Sequence, residues 1–488
     1  MNVTIYRFLV LILAGLVVTG CMVGPKYQRP DTVADTNNGF YHAAHHNQDV
    51  NSLAGIDNWW QHFGDPTTAE LVRRTLENNH DLKAAAARVL QAKAIFAENA
   101  GRRLPDVSYA LTRDRSKRSL NLGSFAGGGR FSVMSTTWEQ AFSVSYALDL
   151  FGKLKRSQRA AWADLLAAHE NQQALINSLI ASVIKARIDI ATLQRHLQIE
   201  RQNIRSRQKT LQIVERRYNQ GLVGPVDVRL ARENLAASKT LEPVIELSLI
   251  TAQHALEVLL ARRPGSSDTL PQTLPDLPDL QPIPIGLPAA LLDRRPDVKA
   301  AEYNLMAQNE RVGVSIAQLF PSLTLTARWG QSGDAWSDLW TGQTEIYSAI
   351  GNLTQPIFKG GQLRAQVDAA KARYQQAVHT YAGAILTALK EVEDALAGDQ
   401  MLQEQLSYAK IRLHEAAAAE NLSRQRYQRG VEKILTVLES ERRSRIAENE
   451  LIDLKGRLWT TRVNLFLALG GYWNPETKIE KNKGVSHD

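Results

Sequence analysis

The chain has one cysteine, Cys21, in 488 residues, so it carries no intrachain disulfide and no cysteine-built metal site. Beyond the first 20 residues it has no long apolar run, because every extended apolar-periodic stretch is interrupted by Arg, Lys, Glu or Gln. A spanning helix needs about 20 apolar residues, so any membrane crossing by the mature chain must use strands. The net charge is +8, but 58 basic residues are scattered among 50 acidic ones, and no clustered basic face of a nucleic-acid binder stands out. No nucleophile, base and orienting group occur together in a recognisable motif, so the chain does not read as an enzyme. Gly127-Gly128-Gly129-Arg130 lacks the Gly-Lys-Ser/Thr of a phosphate loop and reads as flexible loop. Five methionines without cysteine clusters give no support for a copper pathway.

The N-terminus pairs one cation, Arg7, with the apolar run Phe8 to Val18 and then small residues, the pattern of a secretory signal over residues 1–20. Val18-Thr19-Gly20-Cys21 resembles a bacterial lipobox, in which Cys21 would be acylated and become the first mature residue. A small buried Cys beside an ordinary cleavage point is the alternative. A lipid contributes about 0.8 kcal/mol per buried methylene, enough to hold the N-terminus to a membrane surface. Met22 stands where an Asp would resemble an inner-membrane retention signal, so the expected destination is the outer membrane. Residues 21–58 are polar and aperiodic and read as a lipidated tether. Its His42, His45 and His46 lack carboxylate or Cys partners at ligand spacing, which favours a solvated linker over a metal site. Trp59, Trp60 and Phe63 open the structured part as packing anchors.

From there the chain is written twice. An offset of 216 lays His80-Asp81-Leu82-Lys83-Ala84-Ala85 on Pro296-Asp297-Val298-Lys299-Ala300-Ala301, and an offset of 209 lays Arg217-Tyr218-Asn219-Gln220-Gly221 on Arg426-Tyr427-Gln428-Arg429-Gly430. The repeats span residues 59–271 and 288–472, with a Pro-rich linker at 272–287 and a polar tail at 473–488. Each begins with a helical pattern, Thr67 to Ala100 and Pro288 to Gln318, that ends before a proline. Strands follow. Phe142, Val144, Tyr146 and Leu148 alternate with Ala141, Ser143, Ser145 and Ala147, and Leu323, Leu325, Ala327 and Trp329 alternate with Ser322, Thr324, Thr326 and Arg328. Asp106 to Thr112 alternates more weakly, and Glu345 to Leu353 is ambiguous. A half-buried soluble sheet would show the same period, but beside an export signal the pattern fits a transmembrane barrel, with Asp114 to Ser135 and Gln331 to Gln343 as external loops.

Long helices complete each repeat. Lys153 to Gln220 contains neither Pro nor Gly and could reach about 100 Å. Gln362 to Arg429 matches it, and the chain then returns through Val226 to Ala261 and Lys433 to Leu469, with Pro243 expected to kink or break the former. Such helices need neighbours along their length, as in coiled coils. Four strands cannot close a barrel, since the smallest outer-membrane barrels have 8 and leave little pore. Three chains would supply about 12 strands, so a homotrimer is the economical assembly.

These residues resemble the outer-membrane factor family, the TolC-like exit ducts of bacterial efflux and secretion machines, in its lipoprotein branch. The likeness rests on Gly24-Pro25-Lys26-Tyr27-Gln28-Arg29-Pro30, Arg294-Arg295-Pro296-Asp297-Val298, Phe320-Pro321-Ser322-Leu323, Pro356-Ile357-Phe358-Lys359-Gly360-Gly361 and the two Arg-Tyr-X-X-Gly turns. It implies an α/β membrane protein, a trimer with a 12-stranded outer-membrane β-barrel continuous with a 12-helix periplasmic α-barrel. It also implies a passive channel without catalysis or cofactor other than the lipid on Cys21. The implied partners are a periplasmic adaptor and an inner-membrane pump, expected to be proton-driven, for export of drugs or other small toxic compounds. Adaptor docking would fall at Gln220, Gly221 and Leu222 and at Arg429, Gly430 and Val431. A periplasmic gate would use Asp227, Tyr427 and Glu439, with a hydroxyl-to-carboxylate link between Tyr427 and Asp227 and a ring of three Glu439 carboxylates raising one another's pKa and favouring cations. Thr436 and Glu432 stand where TolC has other gate residues, so its gate does not transfer whole. Asp227 and Glu439 could instead be ordinary solvated helix charges, and Tyr218 and Tyr427 packing residues. A channel for type I protein secretion and a non-conducting periplasm-spanning strut are the alternative readings.

Overall fold

The duplication is visible in the element boundaries themselves. A computed structural model describes residues 22–30, 40–42, 58–121, 130–265 and 294–471. In chain order the elements are α1 (Pro66–Asn78), α2 (His80–Gly101), β1 (Asp106–Asn121), β2 (Arg130–Leu148), α3 (Lys153–Asn219), α4 (Pro225–Leu259), α5 (Pro296–Ala317), β3 (Ser322–Gly333), β4 (Glu345–Thr354), α6 (Gln362–Gln428) and α7 (Ile434–Ala468). Both α2 and α5 have 22 residues, both α3 and α6 have 67, and both α4 and α7 have 35. The offset between repeats is 216 at α2 and α5 but 209 at α3 and α6, so the first repeat carries seven more residues between these helices. The β1–β2 hairpin is ten residues longer than β3–β4, and the link from β2 to α3 is three shorter than that from β4 to α6. Two compact units form, neither coinciding with a repeat: one from Met1–Asp31, Arg88–Ala168 and Ala300–Tyr381, the other from Thr32–Ala87, His169–Lys299 and Ala382–Asp488.

The first unit holds a four-stranded antiparallel sheet in the order β1-β2-β3-β4. Its register aligns Tyr109, Phe142, Trp329 and Tyr347 in one row across all four strands. On the same face, toward the helix-linked strand ends, lie Val107, Val144 and Ala327, then Tyr146 and Leu325, then Leu148, Leu323 and Leu353. The opposite face carries Ser108, Ser143, Arg328 and Ser348 in one row and Asp106, Ser145, Thr326 and the exposed Ile350 in another. Large apolar side chains such as Phe142 and Trp329 are exposed on one face, while the other is mostly polar, with Ile350 as its large apolar member. This is the inside-out pattern of a transmembrane barrel wall, with the aromatic row as its interfacial girdle. Among the described residues, strands β1 and β4 each pair on one side only.

The external loop expected at Asp114 to Ser135 is largely strand, because β1 and β2 stay paired from Asp106↔Ser145 to Asn121↔Arg130. Its charged residues do not alternate with apolar ones, so periodicity gave no strand signal, whereas backbone pairing continues wherever the partner strand does. The second loop, expected at Gln331 to Gln343, begins only after β3 and contains two short 3-10 turns, Trp336–Trp340 and Gly342–Thr344.

Residues 22–30 are not a free tether. They run against α5 and the end of β2 in the first unit. The Val23 amide donates to the Phe151 carbonyl at 3.2 Å, and Gly24 lies so close to Gly313 that an added Cβ would be 2.8 Å from its Cα. Buried Glu302 accepts from the Tyr27 hydroxyl at 3.0 Å and from Arg29 through both oxygens, at 2.8 and 2.6 Å. Burial, then the Glu302 charge, raises the Tyr27 phenol well above its usual pKa. Cys21, His45 and His46 lie outside the described residues, while His42 Nδ1 is 2.9 Å from a Glu393 oxygen.

The second unit is built on the apolar stripe of α3. Ile176, Ile180, Val183, Ile184, Ile188 and Ile190 are buried in one cluster with Trp59, Trp60, Phe63, Trp459 and Phe466. Each such side chain contributes about 1.5–3 kcal/mol by leaving water. Trp59 is fully buried and stacks on Phe466 at 5.6 Å. Asp65 caps α1 through the Thr67 amide at 3.0 Å and also faces buried Arg187 at 3.2 Å. The helix expected from Thr67 to Ala100 is two helices, because Asn79 leaves helical geometry and its Oδ1 accepts from the Asp81 and Leu82 amides at 2.9 and 3.1 Å. An Asn side chain competes with the backbone in this way and favours caps. Conversely α4 runs unbroken through Pro243. Its missing amide falls on an exposed face, and Arg201 braces that turn by binding Glu242 at 2.8 Å and Glu246 at 2.5 Å.

Candidate gate and docking turns

Two helical hairpins of the second unit end in the same turn. Gly221 and Gly430 have φ of 71° and 81°, a conformation that penalises any Cβ. Around them the Leu222 amide donates to Arg217 O and the Gly221 amide to Tyr218 O, both at 2.9 Å, and Val431 and Gly430 donate likewise to Arg426 O and Tyr427 O at 3.1 and 3.0 Å. This is the Schellman closure, which satisfies orphan carbonyls at a helix end. Gln220, Gly221, Leu222, Arg429, Gly430 and Val431 are all exposed, and Val226 and Leu435 add apolar surface beside Leu222 and Val431. Each tip thus presents an exposed apolar pair on a rigid turn. Beneath them Val214, Val228, Ala231, Tyr427, Ile434, Val437 and Leu438 form a small buried core.

The expected hydroxyl-to-carboxylate link between Tyr427 and Asp227 is not formed within the chain. The buried Tyr427 hydroxyl has no hydrogen-bond partner among the described residues, and burial raises its pKa, with the neighbouring Arg217 charge opposing and the Asp227 charge adding to the rise. Arg217 takes the place of the link: its guanidinium lies 4.7 Å from the Tyr427 ring centroid and donates through Nη1 to the Tyr427 carbonyl. Asp227 sits in the first turn of α4, behind Gly224 and Pro225, where a carboxylate opposes the positive end of the helix dipole. Tyr427 is drawn in by its ring because a cation over a phenol face is favourable whatever the hydroxyl does.

Glu439 is also placed differently from an isolated acid ring. It accepts from Arg442 at 2.7 and 2.8 Å and from Arg443 at 2.7 Å, and these hydrogen bonds lower its pKa to about 2. Each copy therefore carries more positive than negative charge at this level of α7. Glu432 accepts from Thr436 Oγ1 at 3.0 Å and lies 3.4 Å from Arg426, which holds the second tip together. The Thr436 bond, first, lowers the Glu432 pKa. Arg217 and Glu441 were not singled out by sequence reasoning. The signal for Arg217 was its recurrence with Tyr in both turns. Glu441, buried and accepting from Thr210 at 2.8 Å and Arg424 at 3.1 Å, gave none because both of its partners come from other helices.

The chain matches the family described as "Outer membrane efflux protein" over residues 71–262 and 287–471. It is 31% identical to outer membrane protein OprJ of Pseudomonas aeruginosa over 481 residues, 97% of each chain. It is also 31% identical to the cation efflux system protein CusC of Escherichia coli, over 94% of this chain and 97% of that one. Among solved structures, the outer-membrane channel OprN superposes with a TM-score of 0.83 at 29% identity, covering 93% of this chain and all of that one, and CusC with 0.80 at 28%, covering 92% and all. The fold is TolC-like, the residues lie in the outer membrane and extend into the periplasm, and the chain belongs to the outer membrane efflux protein family.

Proposed function

We propose that the protein is the passive exit duct of a tripartite efflux system, a homotrimer anchored by acylated Cys21 and opened by a periplasmic adaptor and an inner-membrane pump. The observation that carries this reading is the sheet: four strands, an exposed apolar face with an aromatic row, a mostly polar opposite face and, among the described residues, one unpaired edge on each of β1 and β4. Such edges are a liability unless another chain covers them, and pairing β1 of one copy with β4 of the next closes a barrel of about 12 strands when three copies join. The polar face then lines the pore.

The second unit supports the same closure. Within the chain, α3 packs on α7, where Thr192 faces Gly456 and His196 approaches Asn449 at 3.0 Å and Asp453 at 2.8 Å. By the offset of 209, α6 and α4 are the equivalents of α3 and α7, with Met401 and Tyr408 in the places of Thr192 and Ile199, and Leu247 and Ile250 in those of Gly456 and Trp459. All four equivalents are exposed. A neighbouring copy buries them by repeating the contact that the chain makes with itself, so that three chains form a closed ring of twelve long helices.

Met22 follows the acylation site and sits on Gly152 at the end of β2, which would put the lipid at the edge of the membrane. The exposed apolar tips at Leu222, Val226, Val431 and Leu435 suit an adaptor's helical hairpin. Export of small toxic compounds is favoured over the other cargoes by the relatives, one of which is named for toluene efflux and another for cation efflux. Single-channel recording of the purified protein in a planar bilayer tests the duct. Discrete conductance from trimers is expected. A folded, inserted trimer that never conducts under any condition would establish the strut instead.

A further inference from the structure

Beyond the aromatic row, the lipid-facing side of the β1–β2 hairpin changes character. A membrane crossing takes about 9–11 residues of a tilted strand, and β1 has 16 and β2 has 19, so the hairpin continues past the bilayer core on the side away from the helices. The first cross-strand row beyond Tyr109↔Phe142 is Leu111↔Gln140, and the next three pair Arg113 with Trp138, Arg115 with Thr136 and Lys117 with Met134. Strand alternation puts these three cations on the same face as Tyr109 and Phe142, about 7 Å apart. They are exposed, and β1 and β2 place no carboxylate on this face between Arg113 and Lys117, because Asp114 and Glu139 point to the other side; the nearest acid is Asp338, whose side chain lies over Gly333, the β3 partner of Trp138. Arg113 is held 5.0 Å from the Trp138 ring centroid, which presents its guanidinium outward. This hairpin is ten residues longer than β3–β4, 43 residues against 33.

Just inside the ladder is a groove of about 440 Å³, bounded by Tyr109, Phe142, Trp329 and Trp340. Its floor is Gln140, which accepts from the Tyr109 hydroxyl at 3.0 Å and donates to Gln331 at 3.0 Å and to the Leu339 carbonyl at 2.7 Å. Aromatic walls with a fixed amide at the base are suited to a sugar ring, which has apolar faces and hydroxyl edges. Cations at strand spacing are suited to phosphate, which arginine binds through two parallel hydrogen bonds.

We propose that this surface binds the phosphorylated sugar headgroup of an outer-leaflet glycolipid, with Arg113, Arg115 and Lys117 taking its phosphates and the aromatic groove beneath them taking its sugar. The depth selects the ligand. An aromatic row marks the membrane interface, and cations immediately outside it meet headgroup phosphates. A soluble anion would have no use for a greasy groove opening toward lipid.

Native mass spectrometry of the purified trimer tests this with bisphosphorylated lipid A, the same lipid with its phosphates removed, and phosphatidylglycerol, each added to the detergent micelle. The intact protein should retain bisphosphorylated lipid A about tenfold better than the other two, the scale set by several charge-assisted contacts. The combined change Arg113→Thr, Arg115→Thr and Lys117→Thr should abolish that preference, while Arg118→Thr, on the other face, should preserve it. Equal retention of the phosphorylated and dephosphorylated lipids by the unaltered protein would overturn the proposal without needing any variant to fold. So would phosphatidylglycerol binding as well as lipid A, because the groove would then add nothing. None of these outcomes depends on whether the trimer conducts.

Discussion

Arg217 lies over the ring of Tyr427, 4.7 Å from its centroid, and donates to its carbonyl, so the two hairpin ends are joined by a cation on an aromatic face. The hydroxyl of Tyr427 takes no part. Tyr427→Phe should therefore leave single-channel conductance unchanged and stability equal or slightly higher, since it removes a buried polar group that has no partner. Arg217→Ala should raise conductance markedly, and Arg217→Lys should restore only part of the closed state because lysine has no planar fork. Higher conductance in Tyr427→Phe with none in Arg217→Ala would return the gate to the hydroxyl.

The acidic ring predicts a pH response that the pairing of Glu439 removes. Its pKa is lowered to about 2 by Arg442 and Arg443, so the group is ionised throughout the physiological range. The sign follows: a folded pKa below the unfolded one gives a contribution present above pH ~4.5 and lost only as pH falls toward 2. Conductance recorded from pH 5 to 8 should show no inflection that Glu439→Gln abolishes. In salt-gradient measurements, Glu439→Gln should shift the reversal potential toward anion selectivity, because it unmasks Arg442 and Arg443. A cation-selective pore that loses selectivity as pH falls from 6 to 4 would show that assembly frees the carboxylate.

Glu302 decides whether the segment after Cys21 is docked. Glu302→Ala removes the acceptor of Tyr27 and of both Arg29 contacts. Limited proteolysis should then cut within residues 22–30 at least several-fold faster, as a freed terminus is cut. Glu302→Gln, which keeps one acceptor oxygen, should fall between. Unchanged cleavage in both variants would assign the docking to the Gly24 and Gly313 contact instead.

Asp65 serves two partners, the α1 cap and buried Arg187. Asp65→Ala should destabilise by about 3–5 kcal/mol, because it removes a carboxylate facing a buried guanidinium. Loss of a cap alone would cost about 1 kcal/mol. Thermal dissociation of the trimer reads the difference, with Asp65→Asn expected to retain the cap and lose the charge.

Much of the fold was legible along the chain because its signals are local and repeated. Freedom from Pro and Gly from Lys153 to Gln220, a Gly at each tip, and offsets of 216 and 209 located the helices, and the alternation in Gln140 to Leu148 and Ser322 to Trp329 located two strands and their greasy face. The hairpin turns at Gly221 and Gly430 could be placed for the same reason, since helix length and turn chemistry set where a hairpin ends.

What tertiary structure alone decided are relationships across distance and between competing partners. Arg217 and Tyr427 are 210 residues apart, and nothing in either neighbourhood says that the guanidinium, and not Asp227, reaches the tyrosine. The pairing of Glu439 is local, with Arg442 and Arg443 three and four residues on in the same helix, whereas residues 22–30 look like a tether until Glu302 and Gly313 provide a seat. Asn79, where a helix splits without a Pro or Gly, also donates to the Leu259 carbonyl 180 residues away, and β1 extends through charged residues because β2 supplies backbone partners. Periodicity records which face of an element is buried. Which charge meets which ring depends on how elements far apart in sequence are brought together.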